Sequence, residues 1–307
     1  MIQYEPEDAI FATGPWTHRD VSANGARFHV VEAGTGPLVL LVHGFPTFWW
    51  MWKDLLADLS NNGYRAVAMD LRGYGGSDHP PRGYDFFTAS RDIDAVIRSL
   101  GERQAILVGH GFGGLLTFST AALRGDAVSR LISIGTAHPN RMRHEALTNA
   151  AQRKASSFVW GFQRPWVPER QLVANNAEQI DKFLHEWSGN ESWITEEVSA
   201  RYRAAFLGSN TAHCAIEYYR WMVRSIPRPD GRRFAADVAR SPITAPVLQI
   251  HGALDNTILP TTARGSDAYV DAPYKWHLLS GLGHYLAEEE PARVSKIVLE
   301  WLATEPS

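Results

Sequence analysis

Two side chains in the C-terminal third are of the types that move protons. Asp255 stands in an Asp-Asn pair a few residues past a late apolar run, and His284 closes the stretch Gly281-Leu282-Gly283-His284. A carboxylate behind an imidazole fixes its orientation, and the ring can then accept a proton from water. For His284 the bland alternative is a satisfied surface histidine, and for Asp255 an ordinary turn. Three further stretches each follow an apolar run: His43-Gly44-Phe45-Pro46, Asp70-Leu71-Arg72-Gly73-Tyr74-Gly75-Gly76-Ser77 and Gly109-His110-Gly111-Phe112-Gly113-Gly114. Glycine-rich turns after strands are common, so any one of them alone says little. Cys214 is the single cysteine, and no Cys/His cluster has zinc-ligand spacing, so neither a metal nor a cofactor is expected.

The elements that must position these residues alternate. Short apolar runs at Leu38–Val42, 66–69, 105–108, 131–134 and 247–250 read as strands buried on both faces, as in a parallel sheet. Between them lie segments of helical period, such as Ile93, Val96, Ile97 and Leu100, and near the end Val294, Ile297, Val298 and Trp301. The class is therefore α/β. Asn24-Gly25, set between alternating residues, adds an antiparallel hairpin at the front. From Pro139 to Pro242 the alternation stops and the chain becomes helical in pattern and rich in aromatics, among them Phe158, Trp160, Phe162, Trp187 and Tyr219. The expected organisation is a core of residues 1–138 and 243–307, with 139–242 as a helical cap, or lid, over an apolar pocket.

In this order and context the motifs resemble those of the α/β-hydrolases, and most closely the epoxide hydrolase branch, related to the haloalkane and haloacid dehalogenases. The resemblance covers nearly the whole chain. It implies the α/β-hydrolase fold, a mostly parallel sheet flanked by helices, with the cap inserted between late strands. It further implies an oxyanion hole from the backbone N–H groups of Phe45 and Phe112, and a His284–Asp255 dyad as the base. Glu217-Tyr218-Tyr219-Arg220 resembles a family motif whose second tyrosine donates a hydrogen bond to the epoxide oxygen. That places Tyr219 in the role, with a cap-core aromatic as its alternative. The first such tyrosine falls at Phe158, which cannot donate. Phe158, His43 and Trp160 are the expected substrate-contacting residues.

The chain departs from the family at the nucleophile. Where relatives carry aspartate or serine on a sharp strand-to-helix turn, this sequence has Gly111. Glycine has no side chain, so neither an alkyl-enzyme nor an acyl-enzyme ester can form there. It also adopts positive φ without the Cβ clash that strains a nucleophile on such a turn. The expected function is thus epoxide hydrolase-like, acting on or binding a small apolar molecule, with epoxide hydrolysis impaired or lost. Two alternatives stand beside it: a non-enzymatic ligand-binding or regulatory homologue, and an enzyme in which the His284–Asp255 dyad activates water or a substrate C–H directly, with no covalent intermediate.

Composition limits the partners. Thirty Lys and Arg against 33 Asp and Glu give a net charge of −3, which offers nothing to nucleic acid. No apolar run approaches the ~18 residues of a membrane span, and no signal-peptide pattern opens the chain. A reducing, cytoplasmic setting is expected, and a homodimer is left open. Phe48-Trp49-Trp50-Met51-Trp52 is expected to pack beneath the cap rather than dip into a membrane. The arginines 220, 224, 228, 232 and 233 are expected on a solvated surface.

Overall fold

The computed structural model describes residues 2–208 and 210–304. Eight strands form one sheet: β1 (Thr17–Ala23), β2 (Ala26–Ala33), β3 (Leu38–Val42), β4 (Arg65–Met69), β5 (Ala105–His110), β6 (Val128–Ile134), β7 (Val247–Gly252) and β8 (Tyr274–Leu279), in the order β1-β2-β4-β3-β5-β6-β7-β8. β1 and β2 are antiparallel, joined at Asn24-Gly25 with both residues at positive φ. β2 pairs antiparallel with β4, and every pairing from β4 to β8 is parallel. The strands read from apolar runs are those buried on both faces. Leu40, Leu41, Val42, Leu107 and Val108 have no exposed surface. β8, at the sheet edge, has a mixed burial pattern and offers no such run.

Helices flank the sheet in two groups: Lys53–Asn61 packs with Pro291–Leu302, and Phe86–Ser99 with Gly111–Leu123. Each buries one stripe of apolar residues, as with Ile93, Val96 and Ile97. Between β6 and β7 the chain leaves the sheet. Among the described residues it forms seven α-helices there: Pro139–Thr148, Ala150–Ala155, Ser157–Gly161, Val167–Trp187, Glu196–Phe206, Thr211–Arg224 and Pro229–Arg240. The longest is broken at Ala174, after which Asn175, Asn176 and Ala177 take left-handed backbone angles. Phe48 and the turn Trp49–Trp52 are buried beneath this insertion, with Phe48 and Trp50 edge-on to Tyr202.

Arg220 departs from the expected solvated run. It is 5% exposed, 2.6 Å from Glu169 and 2.9 Å from Glu217, and it donates to the Phe162 and Arg164 carbonyls. A helix carrying arginines four residues apart still turns one of them inward, and here two carboxylates compensate that burial. Arg224, Arg228, Arg232 and Arg233 are exposed.

Candidate active site

The strand ends converge. His43–Pro46 follow β3, Gly111 follows β5, Asp255 lies three residues past β7, and His284 follows β8, all at the carboxyl ends of parallel strands. That is where an open α/β sheet offers a crevice.

Gly111 begins the helix after β5 with φ of +52°. A Cβ built on it would stand 2.8 Å from His284 Nε2. The position is thus aimed at the imidazole, which occupies the space a side chain would need. Close approach explains Gly113 as well: its Cβ would fall 2.2 Å from the His43 carbonyl oxygen, so the turns after β3 and β5 can touch only through glycine. The Phe112 amide lies in the first turn of its helix, where N–H groups lack an intrahelical acceptor. A Cβ at Gly44, beside Phe45, would be 3.3 Å from that nitrogen, so the two turns meet at the Phe112 amide.

Nδ1 of His284 donates to Asp255 Oδ2 at 2.9 Å. The other carboxylate oxygen of Asp255 accepts from the Thr257 amide (2.9 Å), the Thr257 hydroxyl (2.8 Å) and the Ile258 amide (3.1 Å). Burial alone would raise the Asp255 pKa. The adjacent His284, with His251 and these donors, outweighs it and holds the carboxyl well below its usual range. With Nδ1 bound to the carboxylate, Nε2 faces Gly111.

Two other groups fix the loop of His284. His110 donates from Nε2 to the His284 carbonyl at 2.8 Å, and burial lowers its pKa to about 3, so it stays neutral there. Glu289 accepts the amides of Gly283 and Tyr285 on that loop and those of Gly189 and Asn190 on the insertion. The His284 amide itself donates to the Trp187 carbonyl of the insertion at 2.7 Å. Sequence reasoning missed Glu289, because in Glu288-Glu289-Glu290 nothing marks which carboxylate turns inward.

Above the strand ends lies a small chamber, lined among others by Phe45, Phe112, Phe158, Trp187, Tyr219 and His284. Tyr219 sits among Phe45, Phe112, Phe158 and Phe162, with ring centroids 5.0 to 5.8 Å apart. Among the described residues its hydroxyl has no hydrogen-bond partner, and burial raises its pKa, so it stays protonated.

The structure places two expected contacts elsewhere. His43 is fully buried and does not reach the chamber: it donates to the Gly44 carbonyl at 2.8 Å and accepts from the Leu71 amide at 3.0 Å, with its ring against Tyr74. A histidine closing a strand this deeply buried satisfies backbone before ligand. Trp160 is 45% exposed and lines a neighbouring cavity; it lies two residues beyond Phe158 on the same short helix, so the two side chains point to different faces.

Comparison with known proteins gives the family. The profile of the family described as "alpha/beta hydrolase fold" matches residues 37–291. The chain belongs to the α/β-hydrolases. Within them this hydrolase is epoxide hydrolase-like. It is 32% identical to epoxide hydrolase 3 of Xenopus tropicalis over 91% of its length and 75% of the relative's. It is 31% identical to the AB hydrolase superfamily protein YfhM of Bacillus subtilis, over 92% and 96%. Among solved structures it is similar to the epoxide hydrolase of Bacillus megaterium, crystallised with an inhibitor. The TM-score is 0.83 at 27% identity, over 93% of this hydrolase and all of that chain. Among its described residues no cluster of His, Cys, Asp and Glu could hold a metal ion, and no helix is long and apolar enough to cross a membrane.

Proposed function

We propose that this α/β-hydrolase takes a small apolar molecule into the chamber beneath the insertion, which acts as its cap, and that its ester-forming route is closed at Gly111. The observation that carries the reading is the 2.8 Å between a Cβ on Gly111 and His284 Nε2. The position is aimed as a nucleophile would be, yet bears none. In an intact relative the nucleophile would attack a ring carbon, the C–O bond would break, and a cap phenol would protonate the oxygen. Here Tyr219 remains as a donor, the amides of Phe45 and Phe112 as an oxyanion site, and His284 with Asp255 as a base, but no bond to the enzyme can form.

The experiment is binding and turnover measured together on a panel of small epoxides and esters, with His284→Ala as the control. The expected result is saturable binding, turnover no greater than in the control, and no covalent adduct by mass. A second reading is favoured by the intact bond between His284 and Asp255, which a pure binder does not need: the dyad activates water directly. Turnover that disappears in His284→Ala and leaves no adduct would select it. Failure of every member of the panel to bind would refute both.

A further inference from the structure

Nine large apolar side chains are exposed among the described residues, and five of them fall between positions 147 and 173: Leu147, Trp160, Trp166, Val167 and Val173. All five lie on the insertion. Single exposed apolar residues need no explanation, but five in one short stretch do. They are neighbours in space as well. Leu147 and Trp160 border one recess, Trp166 and Val167 form the turn after the short helix of Trp160, and Val173 stands one helical turn beyond Arg170. Of the eleven tryptophans, all but Trp160 and Trp166 belong to the apolar core or pack against it. Trp166 is 74% exposed and takes φ of +64°, a left-handed angle that strains a bulky residue. Its indole is held outward at a cost that no core contact offsets.

The same face is basic in a chain whose net charge is −3. Residues 139–176 carry six Lys and Arg against two Glu, and residues 220–233 five Arg against one Asp. Those three carboxylates are already taken: Glu145 by Arg141 at 3.0 Å, Glu169 by Arg220 at 2.6 Å and Asp230 by Arg228 at 3.4 Å. Arg153, Lys154, Arg164, Arg170 and Arg224 are exposed, and among the described residues none of them meets a carboxylate. They alternate with the apolar five. Arg153 donates to the Leu147 carbonyl at 3.1 Å, Arg224 to the Gln163 carbonyl at 3.0 Å, and Arg164 and Arg170 flank Trp166 and Val167. The remainder of the chain is correspondingly acidic.

We infer that this face of the insertion docks on an anionic lipid surface. An indole suits the headgroup layer, which takes both its apolar body and its N–H, and the cations between the indoles meet the headgroup phosphates and carboxylates. A second copy of this chain is the poorer occupant, since a self-complementary contact would set unpaired cation against unpaired cation. The acidic remainder is repelled by the same lipid surface, so a single orientation is favoured, with the insertion toward the membrane. Attachment is peripheral and weakens with salt. It involves neither Gly111 nor His284 and is independent of the chamber reading.

The test is co-sedimentation of the full chain with vesicles of phosphatidylcholine alone or with about 30% phosphatidylserine, at low and at high salt. At low salt the phosphatidylserine vesicles should bind it at least about tenfold more tightly, and the gap should close as salt rises. Arg164→Gln/Arg170→Gln should weaken that binding about tenfold or more, and Trp160→Ser/Trp166→Ser about tenfold on either vesicle. Arg103→Gln/Lys275→Gln removes the same charge from exposed sites on the sheet domain and should leave binding within about twofold. All of these positions are exposed, so urea midpoints should match that of the unaltered chain and a lost contact reports on the surface alone. No preference for phosphatidylserine, an equal loss in the Arg103/Lys275 variant, or binding that ignores the tryptophan pair would each overturn the inference. So would a lipid-free dimer in sedimentation velocity that Trp160→Ser/Trp166→Ser abolishes, which would give the face to a second copy.

Discussion

Restoring a carboxylate at position 111 asks whether the chamber is still built for ester formation. Two costs can be worked out for Gly111→Asp. A side chain at φ of +52° is strained by about 1 to 3 kcal/mol. The new Cβ would also start 2.8 Å from His284 Nε2 and 3.3 Å from Cε1, so the ring must retreat by roughly 0.6 Å to reach ordinary contact. The bond to Asp255 at 2.9 Å resists that retreat but does not forbid it. The variant should therefore unfold about 1 to 3 kcal/mol more easily in urea and still fold. Its carboxylate would attack an epoxide carbon as the ring C–O bond breaks, with Tyr219 supplying the proton to the oxygen. Epoxide opening should appear, but weakly. Phe158 cannot supply the second phenol, and one lost transition-state donor costs about 10²- to 10³-fold in rate. Adding Phe158→Tyr should raise the rate above that of the single variant. Combined with His284→Ala, which removes the base that would hydrolyse the ester, Gly111→Asp should gain the mass of one substrate in intact-mass analysis. A folded variant that gains no mass across a varied epoxide panel would refute the placement of Gly111 at the nucleophile position of a competent chamber.

Three further outcomes follow from groups away from the reacting centre. Arg220→Met should cost about 3 kcal/mol in urea unfolding, at the low end for a broken buried pair because Glu217 keeps access to water; a loss under about 1 kcal/mol would mean the pairs are dispensable. His138 is buried, with its pKa lowered to about 3 against 6.5 unfolded, so only the unfolded chain takes up its proton in between. Stability should fall as pH drops from about 6.5 toward about 3, and His138→Phe, keeping the stack on Tyr269, should flatten that fall in urea midpoints at pH 7, 6, 5 and 4; an unchanged slope refutes it. Ala177, fully buried at φ of +56°, should accept glycine within about 1 kcal/mol, since relief of strain offsets the lost methyl and the freer unfolded chain, whereas Ala177→Val should cost at least about 2 kcal/mol. Equal costs for the two would show that the left-handed angle carries no strain.

What was legible in the sequence and what was not divide along a physical line. β3 through β7 were readable because burial on both faces demands continuous apolar runs, as in Leu38–Val42. β8 was not, because an edge strand half open to water has no such demand. Gly111, Asp255 and His284 were legible from residue type in the setting of a turn after a strand. Glu289 was not, since its partners are backbone amides that leave no mark on the sequence. His43 misled because its glycine-rich neighbourhood suggests a ligand, while its two ring nitrogens are spent on the chain itself. Arg220 misled because its compensating Glu169 lies 51 residues away.

The insertion between β6 and β7 also sets a clock on biosynthesis. Ile132 and Ile134 on β6 pair with Leu248 and Ile250 on β7, and the two strands are separated by the whole helical segment. At about 5 to 20 residues per second, a ribosome spends roughly 6 to 23 seconds between finishing Ile134 and beginning Val247. Throughout that interval a nascent sheet of six of the eight strands, β1 to β6, presents an unpaired apolar border to its surroundings. Asp255 and His284 emerge later still, so that hydrogen-bonded pair is among the last parts to be delivered. A nascent chain stalled within the insertion would carry the Gly111 turn and an adhesive strand edge without Asp255 or His284, and chaperone demand should peak in that window rather than at termination.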